Sequence, residues 1–389
     1  WEATAPIPED YMVGVRATDE TGQVWGQTNS APLGNFRPTS GWQPGETISD
    51  HLGLLLWPGA PPGRYQIQMW LYREADGNIV TARTGKDLRS DGKLALGEIV
   101  VGAPMYPPLP AILGMNKEIG YKFAGILLLG YQSPTGSLRP GDTLEMQLFW
   151  QCVQAVPSAY NVSLWLEEGS GRKWAEVSAN IGGKFSTEHW LPQQVVRDFH
   201  RLPLPPDLQA GRYKIRMAVE DGHGRFSDPV DLYNLDIKDR VKRFEVPPLS
   251  KPQHANLANC VELLGYDLPS ARVAAGQSLS LTLYWRALAT METSYTVFNH
   301  LVAADGKTVG QWDSIPLQGA LPTTAWVQGE IIEDTYHIPV RADTPPGIYR
   351  LRVCMYEPAT GKRLALVDEG GRDYVELESF VEVFAPTGK

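Results

Sequence analysis

The sequence predicts an all-β protein of three tandem immunoglobulin- or fibronectin-like β-sandwich domains, the first lacking its two N-terminal strands. One observation is a passage spelled three times. Leu129-Gly130-Tyr131 aligns with Leu264-Gly265-Tyr266, Trp150 with Trp285, Tyr160 with Tyr295, Trp190 with Trp326, Asp198 with Asp334, and Gly211-Arg212-Tyr213 with Gly347-Ile348-Tyr349. A third register carries Tyr11, Gly22, Trp42, Asp50, Gly63 and Tyr65, and it places Trp150 on Trp1. A period this long marks an array of domains rather than a solenoid of small units. The second observation is alternation of apolar and polar residues with period two and no helical period of consequence. The third is turn chemistry at short spacing, which yields about seven strands per complete copy.

Taken in order, the complete copy opens on a strand at Gly125-Ile-Leu-Leu-Leu-Gly-Tyr131, turns at Pro140-Gly141-Asp142, and continues through Thr143-Leu-Glu-Met-Gln-Leu-Phe-Trp150. The counterpart Ser278-Leu-Ser-Leu-Thr-Leu-Tyr-Trp285 alternates even more cleanly, as a half-buried strand should. Tyr160–Leu166 and Tyr295–Leu301 form the third strand, followed by a Gly-centred hairpin at Asp19–Gly22, Glu168–Gly171 and Ala304–Gly306. Two further strands centre on Trp174 or Val309 and on Val195 or Ile331. Another begins at Tyr213 or Tyr349, and the copies close with Leu96–Val101, Val241–Val246 and Glu378–Val383.

The recurrent residues read as structural. Gly63, Gly211 and Gly347 stand two residues before Tyr65, Tyr213 and Tyr349, in a tight turn whose Tyr hydroxyl reaches back to the backbone as in a tyrosine corner. Trp150 and Trp285 fill the space between sheets. Trp42/Asp50, Trp190/Asp198 and Trp326/Asp334 recur with Glu46, Gln194 and Glu330 between them. A Gln in the middle copy argues for a solvated edge or turn contact rather than a catalytic carboxylate pair. Pro-rich stretches then divide the chain into repeat 1 (1–102), a linker (103–120), repeat 2 (121–247), a second linker (248–258) and repeat 3 (259–385). Such linkers are stiff and predict a semi-rigid rod.

Bulk properties exclude several functions. Among 389 residues 43% are hydrophobic, ample for a core in each repeat and too many for disorder. A net charge of −9 without a Lys/Arg block argues against a nucleic-acid partner. The three cysteines, Cys152, Cys260 and Cys354, occupy different positions of the repeat, so no repeated disulfide exists and isolated thiols are expected. No apolar run approaches the length of a membrane helix, so these residues do not insert in a membrane. The register at Trp1 and the absence of an initiator Met point to a fragment of a longer protein. The two strands missing from repeat 1 belong to that protein, or another chain supplies them by strand addition.

Chemistry-bearing motifs are few. The seven histidines show no HxxxH or HExxH, the serines no G-x-S-x-G, and there is no P-loop or GxGxxG. No catalytic, cofactor or metal residue is assigned. Asp305, Asp313 and Asp334 could gather around calcium, but no D-x-D-x-D-G run supports it. His223 reads as a turn residue, and Asn161-Val-Ser as a chance sequon inside a strand. The remaining candidates for glycan or partner contact are aromatic: Trp25 and Trp174, which coincide between repeats 1 and 2, and Trp312. Trp70 and Trp165 align with Val353 and Asn299, and extra packing is the competing reading for all five.

Leu263-Leu-Gly-Tyr-Asp-Leu268, Gly276–Arg286, Tyr295–Leu301, Gln311–Pro316, Pro322–Trp326, Gly329-Glu330, Pro345–Tyr349 and Met355–Leu364 form a run with a known likeness. It resembles the β-sandwich repeats at the C-terminal ends of large multi-spanning, glycosyltransferase-like membrane proteins of filamentous phototroph-type bacteria. The resemblance is closest in repeat 3, looser in repeat 2 and partial in repeat 1. It implies an extracytoplasmic, non-catalytic region with a structural or interaction role at the cell envelope. Its partners would be other envelope proteins or further repeats of the same chain. A carbohydrate-binding accessory region is the alternative.

Overall fold

The computed structural model describes residues 1–75, 77, 79–80, 92–367, 370 and 372–385. Repeat 1 contributes β1 (Tyr11–Thr18), β2 (Val24–Ser30), β3 (Gly63–Arg73) and β4 (Leu94–Val101), one antiparallel sheet in the order β2-β1-β3-β4. Repeat 2 has two sheets. One holds β5 (Lys117–Phe123), β6 (Ile126–Gln132), β7 (Thr143–Cys152) and β10 (Val195–Pro203), ordered β10-β7-β6-β5. The other holds β8 (Asn161–Glu167), β9 (Lys173–Asn180), β11 (Gly211–Glu220) and β12 (Val230–Ile237), ordered β12-β11-β8-β9.

Repeat 3 repeats the plan. Its first sheet is β13 (Lys251–Leu257), β14 (Val261–Asp267), β16 (Ser278–Ala287) and β19 (Ile331–Pro339). Its second runs β15-β21-β20-β17-β18, with β15 (Arg272–Ala274), β17 (Thr296–Val302), β18 (Thr308–Ser314), β20 (Gly347–Tyr356) and β21 (Val375–Phe384); β15 joins β21 in parallel. The protein is all-β, and its complete repeats are sandwiches.

Alternation along the strands builds the cores. In β7, Leu144, Met146, Leu148 and Trp150 point inward, and in β16 Leu279, Leu281, Leu283 and Trp285 do the same. Trp150 and Trp285 are fully buried, as their spacing predicts. The glycine of the Leu-Gly-Tyr passage has a steric cause. A Cβ on Gly130 would lie 2.2 Å from the Lys117 carbonyl oxygen, and one on Gly265 2.5 Å from that of Lys251, so only glycine lets β5 and β13 pair there.

Three expectations need correction. The linkers drawn at 103–120 and 248–258 take in the first half of β5 and the whole of β13, strands that read as linker because prolines precede or enter them and their outer faces are polar. Repeat 2 closes with β12, not with Val241–Val246. That segment instead lies along repeat 3, where the Ile331 amide donates to the Arg243 carbonyl at 2.7 Å.

Third, among the described residues repeat 1 shows no counterpart of β5 or β6 and little of β7, against the two strands counted from sequence. Only the tail of the β7 counterpart is present. The Trp1 and Ile48 backbones exchange hydrogen bonds at 2.8 Å, and the Ala3 amide donates to the Glu46 carbonyl at 3.1 Å. Cys152 with Gln194 and Ala287 with Glu330 are bonded the same way at 2.9 Å, which places Trp1 on Trp150 and Trp285.

Candidate functional site

The Glu or Gln of the recurring Trp–Glu/Gln–Asp passage closes the same turn in each copy. The carboxyl or amide oxygen of Glu46, Gln194 or Glu330 accepts the backbone amide three residues earlier, from Gln43, Leu191 or Val327 at 2.9 to 3.1 Å. A turn that needs only an acceptor tolerates Gln. The expected turn contact is there, but the acids of repeats 2 and 3 are not solvated: Glu330 is 2% exposed, Asp198 4% and Asp334 0%, while Glu46 and Asp50 of repeat 1 stay half-buried.

Asp334 accepts the Leu317 amide at 3.0 Å and the Tyr336 hydroxyl, and burial pushes its pKa up to about 6. Asp198 accepts from the Trp150 indole at 3.3 Å and lies 2.7 Å from His200. Each buried acid is thus held by groups that belong to the fold. A set that sequence reading missed is Thr39, Thr187 and Thr323. Each hydroxyl accepts the amide of Tyr11, Tyr160 or Tyr295 and donates to the carbonyl of Glu9, Ser158 or Thr293. The signal was a Thr three residues before each repeated Trp. The tyrosine corners form as expected, with Tyr65, Tyr213 and Tyr349 donating to the carbonyls of Pro61, Gln209 and Pro345.

The aromatic candidates separate. Trp25 is no surface platform: it is 5% exposed, packs edge-on against Tyr65 and against Phe199 of repeat 2 at 5.0 Å, and donates its indole N–H to Asp19. Trp174 makes the matching bond to Glu168, and the Arg172 guanidinium covers its ring at 3.8 Å. Trp312, on the edge strand β18, is 38% exposed. The three therefore do not form one patch. Strand registers also move two alignments by a residue: Trp165 matches His300, since they face Arg216 and Arg352, and Trp70 matches Cys354.

Asp305, Asp313 and Asp334 are not brought together. Asp305 caps its own turn, Asp313 faces His300, and no group of three His, Cys, Asp or Glu able to hold a metal occurs among the described residues. His223 sits in a turn closed by Asp221, and Asn161 bonds Glu220 within the sheet. The cysteines are free; Cys152 and Cys354 are buried, Cys260 half-buried, and burial pushes the Cys354 thiol up to about 12. No helix among the described residues is long and apolar enough to cross a membrane.

Polar chemistry concentrates instead where repeats meet. A cleft of about 800 Å³ lies between the β1–β2 hairpin, the turn into β3 and the strand β10 of repeat 2. Lys184 reaches across to Glu20 at 2.5 Å. Beside the cleft Arg197, 7% exposed, donates to the Pro58 carbonyl of repeat 1 at 3.0 Å, to the Leu113 carbonyl of the connector at 2.9 Å and to Gln147 of repeat 2. Its guanidinium lies 4.7 Å from the Phe149 ring, and desolvation pulls its pKa down to about 10, so it stays a cation at neutral pH. At the next joint Arg240 grips both oxygens of Glu330 and the Ala325 carbonyl, with the two side chains 9% and 3% exposed. Gly141 packs there so closely that a Cβ would lie 2.3 Å from the Cβ of Ala325.

No family model and no curated protein matches this chain. Among solved structures, 163 chains match, and one is the crystal structure of red sea bream transglutaminase. That similarity has a TM-score of 0.20 and 7% identity, covers 68% of this chain and spans 32% of the transglutaminase chain. It says nothing about activity here.

Proposed function

We propose that the chain is a non-catalytic, extracytoplasmic β-sandwich array with a structural or protein-interaction role at the bacterial cell envelope. The observation that supports this most is the construction of the joints. Arg197 ties repeat 1, the connector and repeat 2, and Arg240 ties the segment after β12 to repeat 3, each with buried, charge-assisted hydrogen bonds. A chain that invests its buried cations in joints sets the spacing and orientation of its domains, as a spacer or scaffold must. The buried acids Asp198, Glu330 and Asp334 are likewise occupied by fold contacts.

The test is location and contact in cells. A membrane-impermeant biotin reagent applied to intact bacteria should label the surface lysines, and cross-linking should capture envelope proteins. Labelling that appears only after lysis would end this reading. The accessory carbohydrate reading now centres on Trp312, the exposed member of the three aromatic candidates. It predicts glycan-array binding that Trp312→Ala abolishes.

A further inference from the structure

Repeat 1 carries an outer sheet face unlike those of the other repeats. In β3, Tyr65 and Ile67 pack in the core, so Gln66, Gln68 and Trp70 stand on the opposite side of the sheet. Counted from the tyrosine corners, Gln66 and Gln68 stand where repeat 2 has Lys214 and Arg216 and repeat 3 has Arg350 and Arg352. Those four are tied up in ion pairs: Lys214 and Arg216 with Asp231 at 2.9 and 2.7 Å, Arg350 and Arg352 with Glu376 at 2.7 and 3.2 Å. Repeat 1 has a chain of amides instead. Arg16 Nε donates to Gln68 Oε1 at 2.8 Å, and Gln68 Nε2 donates on to Thr18 at 3.2 Å and to Gln66 at 3.1 Å.

Trp70 lies beside this chain, cross-strand from Gly14. A Cβ on Gly14 would lie 2.2 Å from Cε2 and 2.3 Å from Cζ2 of the indole, so the ring covers the β1 backbone where a side chain would stand, and only glycine gives it room. Repeats 2 and 3 place Ser163 with Ala218 and Phe298 with Cys354 at this pair. Arg16 and Lys93 flank the half-buried indole at 5.7 and 5.8 Å from its centroid, too far to cap it as Arg172 caps Trp174 at 3.8 Å. Towards β2 the exposed Gln27 and Asn29 pair with Arg16 and Gly14. At the other end the face runs into a groove of about 350 Å³ whose walls include Thr18, Gln66, Gln68 and Glu98. From Trp70 to Gln66 the surface is ~13 Å long.

We propose that this face binds a neutral polysaccharide chain. The C–H face of a pyranose ring stacks on the Trp70 indole, on the side away from Gly14. Hydroxyls on neighbouring carbons exchange hydrogen bonds with the amides, each of which presents a donor and an acceptor in one plane. Side chains locked in ion pairs, as in repeats 2 and 3, offer such hydroxyls less. The bonds that Gln66, Gln68, Thr18 and Arg16 make among themselves hold the amides in place before a ligand arrives. The proposal deepens the carbohydrate reading by giving it a built site on repeat 1, apart from Trp312 on repeat 3, and separate variants tell the two sites apart.

The test is native electrophoresis of the full chain in gels cast with soluble neutral polysaccharides: a mixed-linkage β-glucan, a galactomannan, an arabinoxylan and amylose. At least one should retard the chain. Trp70→Ala should weaken the apparent affinity about tenfold or more, Trp70→Phe less, and Gln66→Ala about threefold. Unfolding midpoints should hold, because both positions lie outside the core, and Trp312→Ala should leave the retardation unchanged. No retardation by any of these polysaccharides would overturn the proposal, as would full retardation of Trp70→Ala. Loss in Trp312→Ala with Trp70→Ala intact would overturn it while upholding the site on repeat 3. Retardation by an anionic polysaccharide such as alginate alone would assign the effect to the charges of Arg16 and Lys93 and overturn it as well. Loss confined to variants with a lowered unfolding midpoint would show a structural role and do the same.

Discussion

Asp334 is the residue whose chemistry is most at odds with its surroundings. It is fully buried, and two donors only partly offset its desolvation, so its pKa in the folded chain, about 6, stands above the ordinary carboxylate value of 3.8. A raised folded pKa means the native state holds the proton more tightly. Its stabilising effect is complete below about pH 4 and is lost as pH rises through 6, a change of about 3 kcal/mol in all. Urea unfolding of repeat 3 at pH 4 and pH 7 should differ by about 2.4 kcal/mol more in the parent chain than in Asp334→Asn. If both chains show the same difference, Asp334 does not titrate as described. From sequence this residue was visible only as a repeated Asp. Its burial depends on Tyr336 and the Leu317 turn, neither of which is repeated in all three copies: Leu52 and His200 stand at the Tyr336 position.

At the level of elements, each Thr hydroxyl between the third strand and the repeated Trp closes two backbone groups that no ladder reaches. Thr187 is fully buried and bonds the Tyr160 amide and the Ser158 carbonyl, both at 2.9 Å. Thr187→Val keeps the shape and removes both bonds, so it should cost repeat 2 about 2–3 kcal/mol, read as a lowered urea midpoint. A loss below about 0.5 kcal/mol would mean that water replaces the hydroxyl. Strands were the most legible elements. β7, β11, β16 and β20 alternate cleanly because one face meets a core and the other meets solvent. β5 and β13 read as linker because they are edge strands with prolines nearby, and Val241–Val246 reads as a strand because alternation also suits a segment lying extended on a neighbouring domain.

Across the whole molecule, the joints decide how the repeats act together. Arg197 bridges repeat 1, the connector and repeat 2, and truncation strands carbonyls that now accept charged donors. Arg197→Ala should loosen repeat 1 from repeat 2 by about 3 kcal/mol, seen as faster proteolysis within 103–112 and a broader distribution of dimensions in solution scattering. Unchanged scattering and cleavage would show that the Trp25–Phe199 contact alone holds the joint. Side chains, and not the Pro-rich composition alone, hold the segments between the domains.

The sequence by itself determined the all-β class, the threefold repeat, the register that sets Trp1 on Trp150, the core tryptophans and the tyrosine corners. These follow from local periodicity and turn chemistry, and the repeat displays each of them more than once. Tertiary structure alone decided which polar residues are buried and where the repeats touch. It also decided that Trp25 is interior. Those outcomes depend on which surfaces meet, and residues far apart in the chain meet only after the sheets have formed.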